Sequence, residues 1–291
     1  MAKTRELRRR IRSIENTRKI THAMELVAGA KMRRAQATVL GTRRYAELAW
    51  ELLAEVRKRS EIIRHPLLAG RTPIRRSALL VVSGNRGLVG AFHERIVSRA
   101  LELVAGETVP PLVVTAGRVA RDLLHRRGVV IEADFPKKDL LASPDDAAPI
   151  ARFLLAAFGR GECDRVFLVY ADFVSVLRQQ TAVRVLLPVG EQGIRNEESG
   201  IRAEPAVEFL FEPSPTRVLE TVVPNLLSIQ VYQALLETTA SEHAARMVTM
   251  EQATDNADEI RDDLFVAFND ARKAAITQEI LEMVAGQRGV E

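Results

Sequence analysis

Residues 225–285 read NLLSIQVYQALLETTASEHAARMVTMEQATDNADEIRDDLFVAFNDARKAAITQEILEMVA, with no glycine or proline across all 61 positions. A single helix of that length runs about 90 Å at roughly 1.5 Å per residue. Compact domains seldom need one so long, and a period sustained well beyond 25 residues points to a coiled coil. Alternating steps of three and four trace its seam: Ile229, Tyr232, Leu236, Ala240, His243, Met247, Met250, Thr254, Ala257, Ile260 or Arg261, Leu264, Phe268, Ala271, Ala275. The centre of the seam is small or polar. It lets two helices approach closely while gripping them less firmly than Leu and Ile would. The expected object is a thin, stiff rod.

A rod needs a partner, and the other end of the chain supplies one. The first proline is Pro66, and Leu7, Ile11, Ile14, Arg18, Thr21, Met24, Ala28, Met32, Ala35 and Val39 recur at the same spacing. Gly29 and Gly41 each weaken this helix by roughly 1 kcal/mol relative to Ala. Charge favours the pairing. Residues 1–76 carry 20 Lys+Arg against 7 Asp+Glu, and residues 212–291 carry 6 against 14, so the ends are oppositely charged within a chain of net +4. Salt screens such exposed charges, so they steer assembly more than they stabilise it. The surplus positive charge of the N-terminal arm faces solvent or an acidic partner. The arm is Arg-rich like a transit peptide, but Glu6 and Glu15 interrupt it and the helical period runs straight through, so it reads as mature structure.

Between the ends the period changes. Residues 60–76 form a connector containing Pro66, Gly70 and Pro73, and Ala78-Leu79-Leu80-Val81-Val82 then reads as a buried strand. A glycine turn (Gly84, Gly87, Gly90) leads into a helix ending near Ala105. Leu112–Val114 is a second strand, Gly117–Arg127 a helix, and Val129–Phe135 a third strand. Residues 139–144 read as a loop, followed by a helix from Asp145 to Phe158 and two strands, Val166–Val174 and Gln180–Leu187. Residues 188–206 read as a loop and Val207–Phe211 as a last strand. Pro213 and Pro215 mark the entry to the long helix, which Pro224 is expected to kink or restart. The alternation implies a small, mostly parallel sheet covered on both faces. The expected fold is therefore α/β: a long antiparallel two-helix coiled coil from residues 1–65 and 213–291, and a small Rossmann-like α/β domain at 76–212.

No catalytic constellation emerges. The glycines give G-x-x-G-x-x-G rather than the dinucleotide fingerprint, and no Lys-Ser or Lys-Thr follows, so a tight structural turn is the expected reading. The five histidines show no metal-ligand spacing among themselves or with Cys163. Ser83 lacks the flanking glycine of a nucleophile elbow. The pairs Asp145-Asp146, Asp258-Glu259 and Asp262-Asp263 are adjacent, and adjacent helical residues do not face each other. Cys163 is the sole cysteine, so no intrachain disulfide forms. No run of 18 apolar residues exists to span a bilayer. Tyr45 and Trp50 alone give the basic arm no base-stacking platform. The residues describe a mechanical or adaptor protein.

The terminal segments also resemble a known family. Residues 12–28, RSIENTRKITHAMELVA, are similar to the N-terminal signature of the γ subunit of F-type ATP synthases. Residues 240–250 with 253–257 and residues 269–280, NDARKAAITQEI, are similar to its later signatures. Arg86-Gly87-Leu88 with Gly90 matches its turn after the first strand. This resemblance implies a rotor whose terminal helices turn inside an α3β3 ring while its α/β domain sits beside ε on the membrane-embedded c-ring. Ion flow turns the c-ring, and the asymmetric shaft drives the β sites through their conformations.

By matched position, the resemblance places Arg272, Lys273, Thr277, Gln278 and Glu279 at the β catch loop. It places Arg18, Lys19 and Met24 at the acidic helix–turn–helix of β, and Phe211 and Glu212 in the foot near the c-ring. It implies no cofactor, no metal, no catalytic residue and no nucleic acid, and a peripheral place on the cytoplasmic face of a bacterial inner membrane. Lys273 stands where many members have Gln, His22 where Lys is frequent and Val89 where Cys is common; the Cys-bearing insert of chloroplast relatives is absent. Two other readings compete. A basic coiled-coil nucleic-acid adaptor predicts steeply salt-dependent DNA binding. A small α/β enzyme with helical extensions predicts a ligand at the glycine turn.

Overall fold

The computed structural model describes residues 2–59, 67, 70–138, 143–189 and 215–288. It contains α1 (Ala2–Arg59), β1 (Ser77–Val82), α2 (Phe92–Gly106), β2 (Leu112–Ala116), α3 (Arg118–Arg126), β3 (Ile131–Phe135), α4 (Ala148–Gly159), β4 (Arg165–Phe173), β5 (Gln179–Leu187) and α5 (Pro215–Arg288). Contacts divide the chain into two compact units. One combines Met1–Gly29 with Arg246–Glu291, and the other is Ala30–Ala245. Helices α1 and α5 contribute to both.

The larger unit is built on one five-stranded sheet of order β3-β2-β1-β4-β5. All pairs are parallel except β4 with β5. The order follows from chain direction. From β1 the chain steps through β2 to β3, then returns to β4 on the other side of β1. Right-handed crossovers put α2 and α3 on one face and α4 on the opposite face. Side-chain alternation in β1 divides accordingly. Leu79 and Val81 join a core with Phe92, Ile96, Val97, Ala120 and Leu124. Ala78, Leu80 and Val82 pack with Ile150, Leu154 and Phe158 of α4 and with Leu227, Val231 and Leu235 of α5. Covered on both faces, β1 is buried at every position. Edge strand β3 instead alternates, with Glu132 and Asp134 outward.

Within this unit α1 runs antiparallel to α5. Met32 and Ala35 form a small cluster with Ala240, Ala244 and Phe173, and Thr42 Oγ1 donates to Gln233 Oε1 at 2.7 Å. The smaller unit shows the same pairing. Arg18 Nε donates to Asp258 Oδ2 at 2.8 Å, the hydroxyls of Thr21 and Thr254 meet at 2.8 Å, and Arg8 lies over the Phe268 ring at 5.5 Å. The seam positions read from the sequence are the inward ones in both helices. At the one ambiguous step Arg261 turns inward, whereas Ile260 is 48% exposed.

Local boundaries differ from the expected ones at several points. Helix α4 starts at Ala148 rather than Asp145, because Pro144–Asp146 make a separate 3-10 turn boxed by Ser143 and Asp146. The α5 assignment runs through Pro224 without a restart, and the Ser228 hydroxyl donates to the Pro224 carbonyl at 3.0 Å. Strand β2 extends two residues further than expected, to Ala116. The expected strand Val207–Phe211, and with it Phe211 and Glu212, lies outside the described residues.

Candidate functional site: the carboxyl edge of the sheet and the exposed stretch of α5

In an open α/β sheet, ligands bind beyond the carboxyl ends of the parallel strands, where the strand order reverses. Here that place lies between β1 and β4, and the chain itself fills it. Strand β4 outruns β1: the last pair is Val81 with Val169, and Ala171 lies past it. The backbone groups of Ala171 are met by α5, whose Thr238 Oγ1 accepts from Ala171 N at 3.2 Å and whose Ser241 hydroxyl donates to Ala171 O at 3.5 Å. One residue further along, the Glu242 carboxylate sits against Gly84, close enough that any Cβ there would run into it. Lys137 Nζ, from the loop after β3, donates to Glu242 Oε2 at 3.0 Å. Both side chains are almost wholly buried, at 3% and 8% exposed.

The glycine turn is pinned from below. Ser83 and His93 are buried, with Ser83 Oγ 2.7 Å from His93 Nδ1. His93 Nε2 lies 2.9 Å from the Arg86 carbonyl. A carbonyl oxygen only accepts, so Nε2 donates there, and in the neutral ring Nδ1 accepts from the Ser83 hydroxyl. This is a Ser–His pair, but a hydroxyl with no exposure offers nothing to a substrate, and the distal nitrogen is spent on backbone. Its effect is to hold residues 83–93 as a rigid loop. Gly117, at φ +113°, lets the start of α3 close over Ser83, whose carbonyl a Cβ would strike. Asn85 bridges the strand ends, donating to Lys137 O at 2.6 Å and accepting from Arg118 N at 3.2 Å.

The sequence pattern missed this assembly because its parts lie 105 residues apart along the chain, as Lys137 and Glu242 do. The available signal was a glycine at Gly84 together with unusually polar seam neighbours at 237–243. Nor did it foresee the clamp on the connector. Arg71 stacks on Phe158 at 4.7 Å and donates to the Phe158 and Cys163 carbonyls. Asp164 accepts from the backbone N–H of Arg75 and Arg76. Those N–H groups, with Arg71, hold its carboxyl below the ordinary value despite burial.

The residues expected to meet β fall into two groups. Arg272, Lys273, Thr277, Gln278 and Glu279 all lie on the exposed part of α5. Their apolar neighbours also face outward: Ile280, Leu281 and Met283 are 50%, 59% and 66% exposed. On α1, Lys19 is exposed and Met24 half-buried in the seam. Arg18 is occupied with Asp258, whose carboxyl it holds below the usual range. Among the described residues no group of three or more His, Cys, Asp or Glu side chains is placed to hold a metal ion.

A family model described as ATP synthase matches residues 3–290. The protein named ATP synthase gamma chain in Pelotomaculum thermopropionicum is 39% identical over 291 residues, covering 100% of each chain. The chain belongs to the ATP synthase gamma chain family. A second relative of that name, from Herpetosiphon aurantiacus, is 39% identical over 300 residues with 98% of each chain covered. Solved structures share the fold. A chain of the Euglena gracilis mitochondrial ATP synthase OSCP/F1/c-ring assembly in rotational state 3 aligns with TM-score 0.68 at 18% identity, covering 99% of this chain and 95% of that one. One from the Tetrahymena thermophila central stalk and c-ring aligns with TM-score 0.62 at 22% identity, covering 80% and 99%.

Proposed function

We propose that this chain is the central rotor shaft of an F1Fo ATP synthase, coupling ion-driven rotation of the c-ring to the conformational cycle of the catalytic β subunits. The observation that carries the reading is the split character of α5 in a member of this family: one stretch is buried and bonded to the sheet, another presents uncovered apolar and polar side chains. In this reading Arg272, Lys273, Thr277, Gln278 and Glu279 touch the β catch loop. Lys19 meets the acidic helix–turn–helix of β, with Arg18 and Met24 beside it. Phe211 and Glu212 belong to the foot near the c-ring and ε.

The chain by itself is not catalytic, which the self-filled carboxyl edge of its sheet supports. No helix among the described residues is long and apolar enough to cross a membrane. Attachment at the cytoplasmic face of a bacterial inner membrane then runs through the c-ring. Weak, individually replaceable contacts suit the task, because each contact with β breaks and re-forms once per turn. Exposed ion pairs contribute about 0–1 kcal/mol, whereas a buried pair stripped of one partner costs roughly 3–5 kcal/mol and would stall rotation.

The test is purification of tagged chain after mild membrane extraction. Stoichiometric α and β with ATPase activity is the expected outcome. A monodisperse chain free of both, or one retained by DNA at low salt, contradicts the reading.

A further inference from the structure

We propose that Glu242, Lys137 and Gly84 form a torsion lock that fixes the rotational setting of α5 against the sheet. The inference rests on the rotor reading above and names the place where torque passes into α5. Apolar packing resists both separation and turning, but the hydrophobic effect itself is non-directional, so its angular restraint is soft. Hydrogen bonds weaken steeply with misalignment, and a desolvated charge pair is stronger than one in water. The polar contacts therefore add the sharpest angular restraint to that packing.

They are placed where twisting is felt. Thr238, Ser241, Glu242 and Ala245 occupy one stripe of α5 at i, i+3, i+4 and i+7. The first two hold Ala171 of β4, and Ala245 packs in the core with Val81 and Val89. Glu242 engages the other strands. The Gly84 backbone after β1 walls its carboxylate on one side, and Lys137 after β3 draws it from the other. Loops from the ends of β1 and β3 thus converge on one carboxylate, and Asn85 ties both to the start of α3 after β2. Turning α5 in either direction drives that carboxylate into backbone or pulls it off its ammonium partner in a dry site.

The experiment uses the whole membrane-reconstituted complex. Three forms of the chain are compared: wild type, Glu242→Gln, which keeps an acceptor for Lys137, and the double variant Lys137→Met with Glu242→Gln, which removes both charges of the pair. Readouts are ATP hydrolysis, ATP-driven ion pumping per ATP, thermal stability of the complex, and torsional stiffness from the angular fluctuation of a probe on the stalled rotor.

The double variant is expected to assemble with wild-type thermal stability. Its stiffness and pumping per ATP should fall by at least about threefold, short of the ~10²-fold loss from misplacing a reacting group. Glu242→Gln, which leaves the Lys137 ammonium buried without its carboxylate, should lower stiffness less than the double variant but lose more thermal stability. Wild-type stiffness and pumping in the double variant overturn the proposal. So does a double variant that loses assembly or thermal stability, which makes the pair a folding element alone. If the wild-type complex itself hydrolyses ATP without pumping, the rotor reading fails and this inference with it.

Discussion

Two stretches of the same helix, α5, obey opposite rules. Residues 230–246 are buried at every position although they include Gln230, Gln233, Glu237, Thr238, Ser241, Glu242, His243 and Arg246. Residues 276–283 leave Ile276, Ile280, Leu281 and Met283 uncovered. A soluble helix normally turns one apolar stripe inward and keeps its polar groups in water. The first stretch breaks that rule by burying polar groups against specific partners, where each bond fixes orientation. The second breaks it by exposing apolar groups, which the rotor reading assigns to contact with the surrounding ring. In the rotor reading, polarity inside is the grip and apolarity outside the bearing.

The grip is the easier half to break. Replacing Gly84 by Val places side-chain atoms on the buried Glu242 carboxylate, so it combines overpacking with disruption of the Lys137 pair. About 3–5 kcal/mol should be lost in urea unfolding of the isolated chain. Gly87, three residues on, has nothing within 4 Å of its Cβ position, and Gly87→Val should change stability by no more than about 0.5 kcal/mol. Equal losses at the two glycines would dissolve the distinction between a packed and an open turn.

Two pH profiles sharpen the description of the larger unit. Burial pushes the Cys163 thiol from 9.0 up to about 11. The unfolded chain then ionises first as pH rises, so stability from this group is present below pH 9 and falls between about 9 and 11, at about 1.4 kcal/mol per unit. Cys163→Ala should lose less stability over that window than wild type. Because Cys163 has no second cysteine in the chain to form an intrachain disulfide, dithiol reagents should not alter the activity of the complex through this subunit. At the acid end the depressed Asp164 carboxyl works with the opposite sign. Its contribution is present above the ordinary value of 3.8 and is lost as pH falls through the lower folded value. Asp164→Asn should flatten the acid limb of the stability curve, and an unchanged limb would show that the connector clamp is not electrostatic.

The bearing should give the smallest effects on stability and visible ones on function. Arg272→Ala and Thr277→Ala are each expected within about 0.5 kcal/mol of wild type. Each should lower ATP turnover and pumping partially, and the double change should lower both further because shaft contacts are shared. Wild-type values in the double variant would remove these residues from the torque path.

Much of the architecture is readable in the sequence because it is carried by local period. The seams of α1 and α5, the buried run of β1 and the strand–helix alternation all follow from spacing. The resolution of Ile260 against Arg261 does not, because both fit the spacing and the choice depends on Asp258, which Arg261 reaches at 2.6 Å. The joint at Glu242 escapes for the same reason. Its partners are a backbone, a lysine after a distant strand and the overhang of β4 past β1, which only topology brings together.

Rotation itself tests the central claim most directly. With its only cysteine buried, the chain takes a single label at Val130→Cys, exposed just before β3. With the α3β3 ring fixed to a surface, ATP should turn a probe at that position unidirectionally, in steps that slow together with hydrolysis as ATP is lowered. A complex that hydrolyses ATP while the probe stays still would contradict the account.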